Sequence, residues 1–126
     1  MSATFTEKIK EEEQNTMANY GELNLNTGRL LGLKNQLDQT QEEAAELIQA
    51  ISKYKRAVLS YGQPTTMSGP EAVARIVEEI VDVSIMLEQL CDLLQIHQSH
   101  FDEVYNRKVQ RTLERLNMEE LTDGGQ

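Results

Sequence analysis

The chain has no tryptophan, and its 126 residues include one cysteine, Cys91. A single cysteine excludes an intrachain disulfide framework and any cysteine-rich metal site. Proline occurs only at Pro64 and Pro70, so most of the chain lacks the residue that breaks helices most strongly. Basic residues are the minority, 12 Lys+Arg against 21 Asp+Glu, giving a net charge of −9. That balance excludes a grip on nucleic acid or on an anionic membrane through overall basicity. No apolar run approaches the ~18 residues of a membrane span. The opening Met1-Ser2-Ala3-Thr4-Phe5 leads straight into charged residues and has no secretion-signal pattern. A cytoplasmic single domain is therefore expected. What is present is Leu, Ile, Val and Ala, within an apolar share of 39% that is enough for a core.

Punctuation divides the chain. The strongest break is Tyr61-Gly62-Gln63-Pro64-Thr65-Thr66-Met67-Ser68-Gly69-Pro70, which reads as a loop. A softer, Asn- and Gly-rich break runs from Gly21 to Gly32, and Thr122 to Gln126 reads as a frayed tail. The segments between are too long, and too poor in β-branched alternation, to be strands. The pattern predicts helices over about 6–20, 33–60, 70–96 and 99–117. Pro70 suits a first helical position, with Ser68 or Gly69 as its cap. The expected fold is all-α, a four-helix-bundle-like arrangement. Its parts are an N-terminal helix and linker (1–32), a helical core (33–117) and a flexible tail (118–126).

Carboxylates recur beside the apolar stripes. At 100° per residue, the second helix gathers Leu33, Leu37, Ala44, Leu47, Ile48, Ile51 and Val58 on one stripe, with Glu43 and Glu46 at its edge. The third gathers Val73, Ile76, Ile80, Val83, Leu87, Leu90, Cys91 and Leu94, with Glu79 and Asp82 placed the same way. Each pair has i, i+3 spacing and projects from one side of its helix. If the helices are neighbours, all four carboxylates converge, which is costly unless something compensates. Either they splay into water as a solvated face, or a cation holds them together. All-oxygen ligation favours a hard divalent ion, Mg2+ first and Mn2+ second. A di-iron site would want Glu-x-x-His on the helices, and the histidines present, His97 and His100, lie at a helix junction.

Two further features stand out. Val77, Val81 and Ile85 make the third helix apolar nearly all round, which suggests a subunit interface, or else a cover supplied by the first helix. The fourth helix carries Lys108, Arg111 and Arg115 as one cationic ridge. The ridge suits an anion already bound to a metal, unless i, i+4 ion pairs occupy it.

The stretch Gln36 to Ala50, containing Glu43-Ala44-Ala45-Glu46, is followed by Glu79-Ile80-Val81-Asp82 and then by Tyr105 to Leu116. In this order they resemble the all-α nucleoside triphosphate pyrophosphohydrolases of the MazG type, over about residues 33–116. The Tyr61–Pro70 loop lengthens the spacing between the two carboxylate motifs. The resemblance implies hydrolysis of a (d)NTP to the monophosphate and pyrophosphate, with Mg2+ held by Glu43, Glu46, Glu79 and Asp82. Glu43 or Glu46 would orient or deprotonate the attacking water, and Lys108, Arg111 and Arg115 would hold phosphates. Asn106, Gln36 and Gln39 would contact the nucleotide, and a homodimer or homotetramer is implied. The competing expectation is a non-catalytic helical oligomerisation or adaptor protein with the same bundle.

Overall fold

The computed structural model describes residues 4–124. Among these the chain is all-α, with helices α1 (Phe5–Leu31), α2 (Leu33–Val58), α3 (Gly69–Leu93) and α4 (Gln98–Gly124). They fall into two compact units, one holding α1 to α3 and one, from Gln95 onward, holding α4. No described helix is long and apolar enough to cross a membrane.

Local chemistry sets most of the helix ends. Ser68 caps α3: its hydroxyl accepts from the Glu71 amide (3.2 Å) while the Glu71 carboxylate accepts from the Ser68 amide (3.4 Å). Pro70 sits in the first turn, where its missing N–H costs nothing. Thr4 and Glu7 build the same reciprocal box at the start of α1. Gly32 alone separates α1 from α2, with φ at 87°, a region that favours glycine.

Two helices run further than their sequence suggests. α1 does not stop near Tyr20 but continues through the Asn- and Gly-rich stretch to Leu31. Tertiary bonds offset the poor local helix propensity there. Asn24 donates to the Ile85 carbonyl (3.2 Å) and to Glu88 Oε2 (3.1 Å). The Arg29 guanidinium grips Asp92 through two bonds of 2.8 and 2.6 Å. That pairing holds the Asp92 carboxyl below its usual range. α4 likewise runs past Asn117 to Gly124, across the expected tail, while Gly125 and Gln126 lie outside the described residues.

The centre of the three-helix unit is more polar than the stripes implied. Among the described residues its buried apolar side chains are Ala50, Ala72 and Met86, and beside them lie Gln36, Glu79 and Gln89. One amide from each helix forms a chain. Gln36 on α2 donates to Gln89 Oε1 on α3 (2.6 Å), and Gln89 donates to Asn24 Oδ1 on α1 (2.7 Å). Satisfied buried amides of this kind fix register, because any slip leaves a donor unpaired.

Gly28 is the close-approach point for this chain. A Cβ there would lie 3.0 Å from Gln89 Cγ and 3.1 Å from Gln89 Cβ. Gly28→Ala would improve helix propensity by ~1 kcal/mol. It would also displace Gln89 and break buried amide bonds, at a cost of about 1–3 kcal/mol for each group left unpaired. Net destabilisation is expected, read as a lower urea midpoint. A raised midpoint would show that the Gly28–Gln89 contact is dispensable.

Candidate metal centre

α2 and α3 pack along their lengths and bring the two carboxylate pairs together. One ligand oxygen from each of Glu43, Glu46, Glu79 and Asp82 lies within 4.8 Å of all the others. An octahedral Mg2+ shell at about 2.1 Å places opposite ligands about 4.2 Å apart, and Ca2+ at about 2.3–2.6 Å places them about 4.6–5.2 Å apart. The cluster therefore has the size of a hard divalent cation's shell. The spacing selects that class and not its member.

The four groups differ in environment. Glu79 is only 9% exposed, between Ala72 and Met86 on the packed side of α3. This corrects its expected place at the edge of an apolar stripe. Half of that stripe (Val73, Ile80, Leu87 and Leu94) is instead left uncovered, each residue being 49–50% exposed. The packed face is rotated toward the carboxylate, so Glu79 occupies a core position. Its Oε2 is buried and has no hydrogen-bond partner among the described residues, and the same holds for Oε2 of Glu43. A buried carboxylate oxygen without a donor is costly, and two of them in one cluster are accounted for if a cation completes the site.

Glu43 is held on its other side. The Gln39 amide donates to Glu43 Oε1 (2.9 Å), leaving Oε2 as the unpartnered atom. Burial pushes the Glu43 carboxyl above its usual range, the Gln39 bond opposes this, and the charges of Glu46 and Asp82 add to the rise. Glu46 is exposed and gives the cluster a wet side.

The remaining expected site residues are placed as follows. Gln39 touches the cluster through Glu43. Gln36 is buried against Gln89 and has its donor committed there. Asn106, Lys108, Arg111 and Arg115 are exposed on α4, in the other unit. None of the three cations forms an ion pair among the described residues, and Glu114 pairs with Gln110 (3.4 Å). The i, i+4 pairing that would have occupied the ridge is therefore not made among the described residues.

Sequence reasoning passed over two cations, Lys53 and Arg75, which line a cavity beside the cluster. Their spacing carried a signal. Lys53 follows Glu46 by seven residues and Arg75 precedes Glu79 by four, which places each on its carboxylate's side of the helix.

Fold and site together define an all-helical protein with a four-carboxylate cluster suited to a hard cation. No family model matches the chain, and no curated protein or solved structure matches it.

Proposed function

We propose that the chain is a Mg2+-dependent nucleoside triphosphate pyrophosphohydrolase of the MazG type, acting on free nucleotides in the cytoplasm. The observation that carries this reading is the convergence of Glu43, Glu46, Glu79 and Asp82, two of whose buried oxygens have no partner. A triphosphate could not approach so acidic a cluster unless divalent ions first inverted the local charge. A bound ion there supplies charge neutralisation at a phosphoryl oxygen and acidifies water.

The chain's own groups supply the rest of the chemistry. Glu43, Glu46, Glu79 and Asp82 are the metal-holding set. Gln39 fixes the Glu43 carboxylate through Oε1 and leaves Oε2 without a partner among the described residues. Glu43 or Glu46 orients or deprotonates the attacking water, and Glu46, exposed on the wet side of the cluster, has the freer carboxylate for it. Water attacks the α-phosphorus and loses its proton to that carboxylate. The bond from the α-phosphorus to the bridging oxygen breaks, and pyrophosphate leaves. Lys108, Arg111 and Arg115 are assigned to phosphate oxygens and Asn106 to the nucleoside. Gln36 and Gln39 are committed within the three-helix unit, so their roles in this scheme are positional.

Assembly belongs to the same reading. Val73, Ile80, Leu87 and Leu94 recur every seven residues along α3, and Val77, Val81 and Ile85 widen this uncovered arc. Among the described residues the buried apolar side chains are Ala50, Ala72 and Met86, which make a small core. A homodimer or homotetramer of bundle-like form, sharing the α3 arcs, would bury them. A purely structural adaptor would use the same arcs, but it leaves the unpartnered Glu43 and Glu79 oxygens without a purpose.

Product identity tests the reaction. With Mg2+ and a panel of canonical and modified (d)NTPs, phosphorus NMR should show a monophosphate and pyrophosphate from at least one substrate. Diphosphate with inorganic phosphate, or no turnover with either Mg2+ or Mn2+, would remove the proposal.

A further inference from the structure

Beside the carboxylate cluster a cavity of 230 Å³ opens between α2 and α3, lined by Glu46, Gln49, Ala50, Lys53, Arg75 and Glu79. Small-molecule sites usually enclose about 300–1,000 Å³, so this one suits a fragment of a nucleotide and not a whole one. Its wall carries two unspent cations: neither Lys53 nor Arg75 forms an ion pair or side-chain hydrogen bond among the described residues. The acids on the same wall, Glu46 and Glu79, do not pair with them. Carboxylate oxygens of Glu46 and Glu79 gather instead with those of Glu43 and Asp82. Glu79, more than nine-tenths buried and with Oε2 unpartnered, forms part of both the cavity and the cluster.

We propose that Lys53 and Arg75 form a phosphate subsite that adjoins the metal cluster and holds one end of a metal-bound pyrophosphate group. The subsite rests on the metal reading given above. Its charge logic makes it conditional. In the metal-free chain the two cations are offset by Glu46 and Glu79 on the same wall, so a free anion gains little. A divalent ion on the carboxylates tips the wall positive, and Lys53 and Arg75 can then make charge-assisted bonds to phosphate oxygens. Arginine offers a planar fork and lysine a point charge, which together suit one phosphate group approached from two helices.

The test is calorimetric titration of inorganic pyrophosphate into the full chain, with Mg2+ and with a chelator. The wild type should bind only with Mg2+. K53M and R75M should each weaken binding at least about tenfold, while Mn2+ uptake, read by electron paramagnetic resonance, stays within about twofold of wild type. K53R should recover most of the loss, and circular dichroism should show intact helices in every variant. Undiminished pyrophosphate binding by K53M/R75M would overturn the subsite, as would a wild type that binds none. The two readings fail separately. Pyrophosphate binding that needs Lys53, Arg75 and Mg2+, without hydrolysis of any triphosphate, sustains the subsite and removes the enzyme. Hydrolysis by K53M/R75M at wild-type kcat/KM removes the subsite and sustains the enzyme.

Discussion

Glu79→Gln should abolish turnover and at the same time make the metal-free protein more stable. Both effects follow from the same carboxylate. Glu79 is buried between Ala72 and Met86 with one oxygen unpartnered, among three other carboxylates. Outer-shell partners of a metal already cost about 10–100-fold when removed, so loss of a direct ligand should cost at least about 100-fold in rate. In the absence of metal, glutamine keeps the side chain's shape and removes a crowded charge. Its amide can also donate to the unpartnered Glu43 Oε2. Relief on the order of 1–3 kcal/mol is expected, which at about 4 °C per kcal/mol is a clear rise in Tm under chelator. Saturating Mg2+ should reverse the order, because binding at about 1,000-fold above Kd stabilises the wild type by about 4.1 kcal/mol. Scanning calorimetry under both conditions checks this. A variant less stable than wild type in chelator and in Mg2+ alike would make Glu79 a structural residue.

Paired substitution of Val77→Glu and Val81→Glu should dissociate the assembly. Both valines lie on the uncovered side of α3 and are half-exposed or more. In an isolated chain the change would be mild, since surface substitutions usually stay within about 0.5 kcal/mol. Across an apolar interface each new carboxylate is buried without a partner, at a cost of several kcal/mol. Light scattering should give a dimer or tetramer for the wild type and a single-chain mass for the variant. Because so few apolar side chains are buried among the described residues, helicity should fall with the mass. An unchanged mass in the variant, or a stably folded wild-type monomer, would contradict the assignment of this face.

The helical class, the start of α3 and the membership of the carboxylate cluster were all legible before any coordinates. Ser68, Glu71 and Pro70 act within one turn, so their roles follow from local sequence. Glu43, Glu46, Glu79 and Asp82 could be grouped because i, i+3 spacing survives whatever the helix packs against. The rest depended on tertiary partners. α1 persists beyond Tyr20 because Asn24, Gly28 and Arg29 meet residues of α3, more than 60 positions away in the chain. The wheel of α3 misplaced its packed face because apolar residues nearly encircle the helix, so periodicity alone could not rank one side over another. The structure turns the Glu79 side inward and leaves Val73, Ile80, Leu87 and Leu94 outside. Lys53 and Arg75 went unnoticed because a lone cation near an acidic motif is usually a surface ion pair. Only the structure shows that they line a cavity and are unpaired among the described residues.

The cluster's capacity to hold a cation is the claim on which everything else depends. Titrating Mn2+ into metal-free protein, with the free-ion resonance as readout, tests it most directly. Saturable uptake by the wild type, displaced by excess Mg2+ and lost in Glu79→Gln and Asp82→Asn, is the expected result. Uptake no greater in the wild type than in those two variants would contradict it.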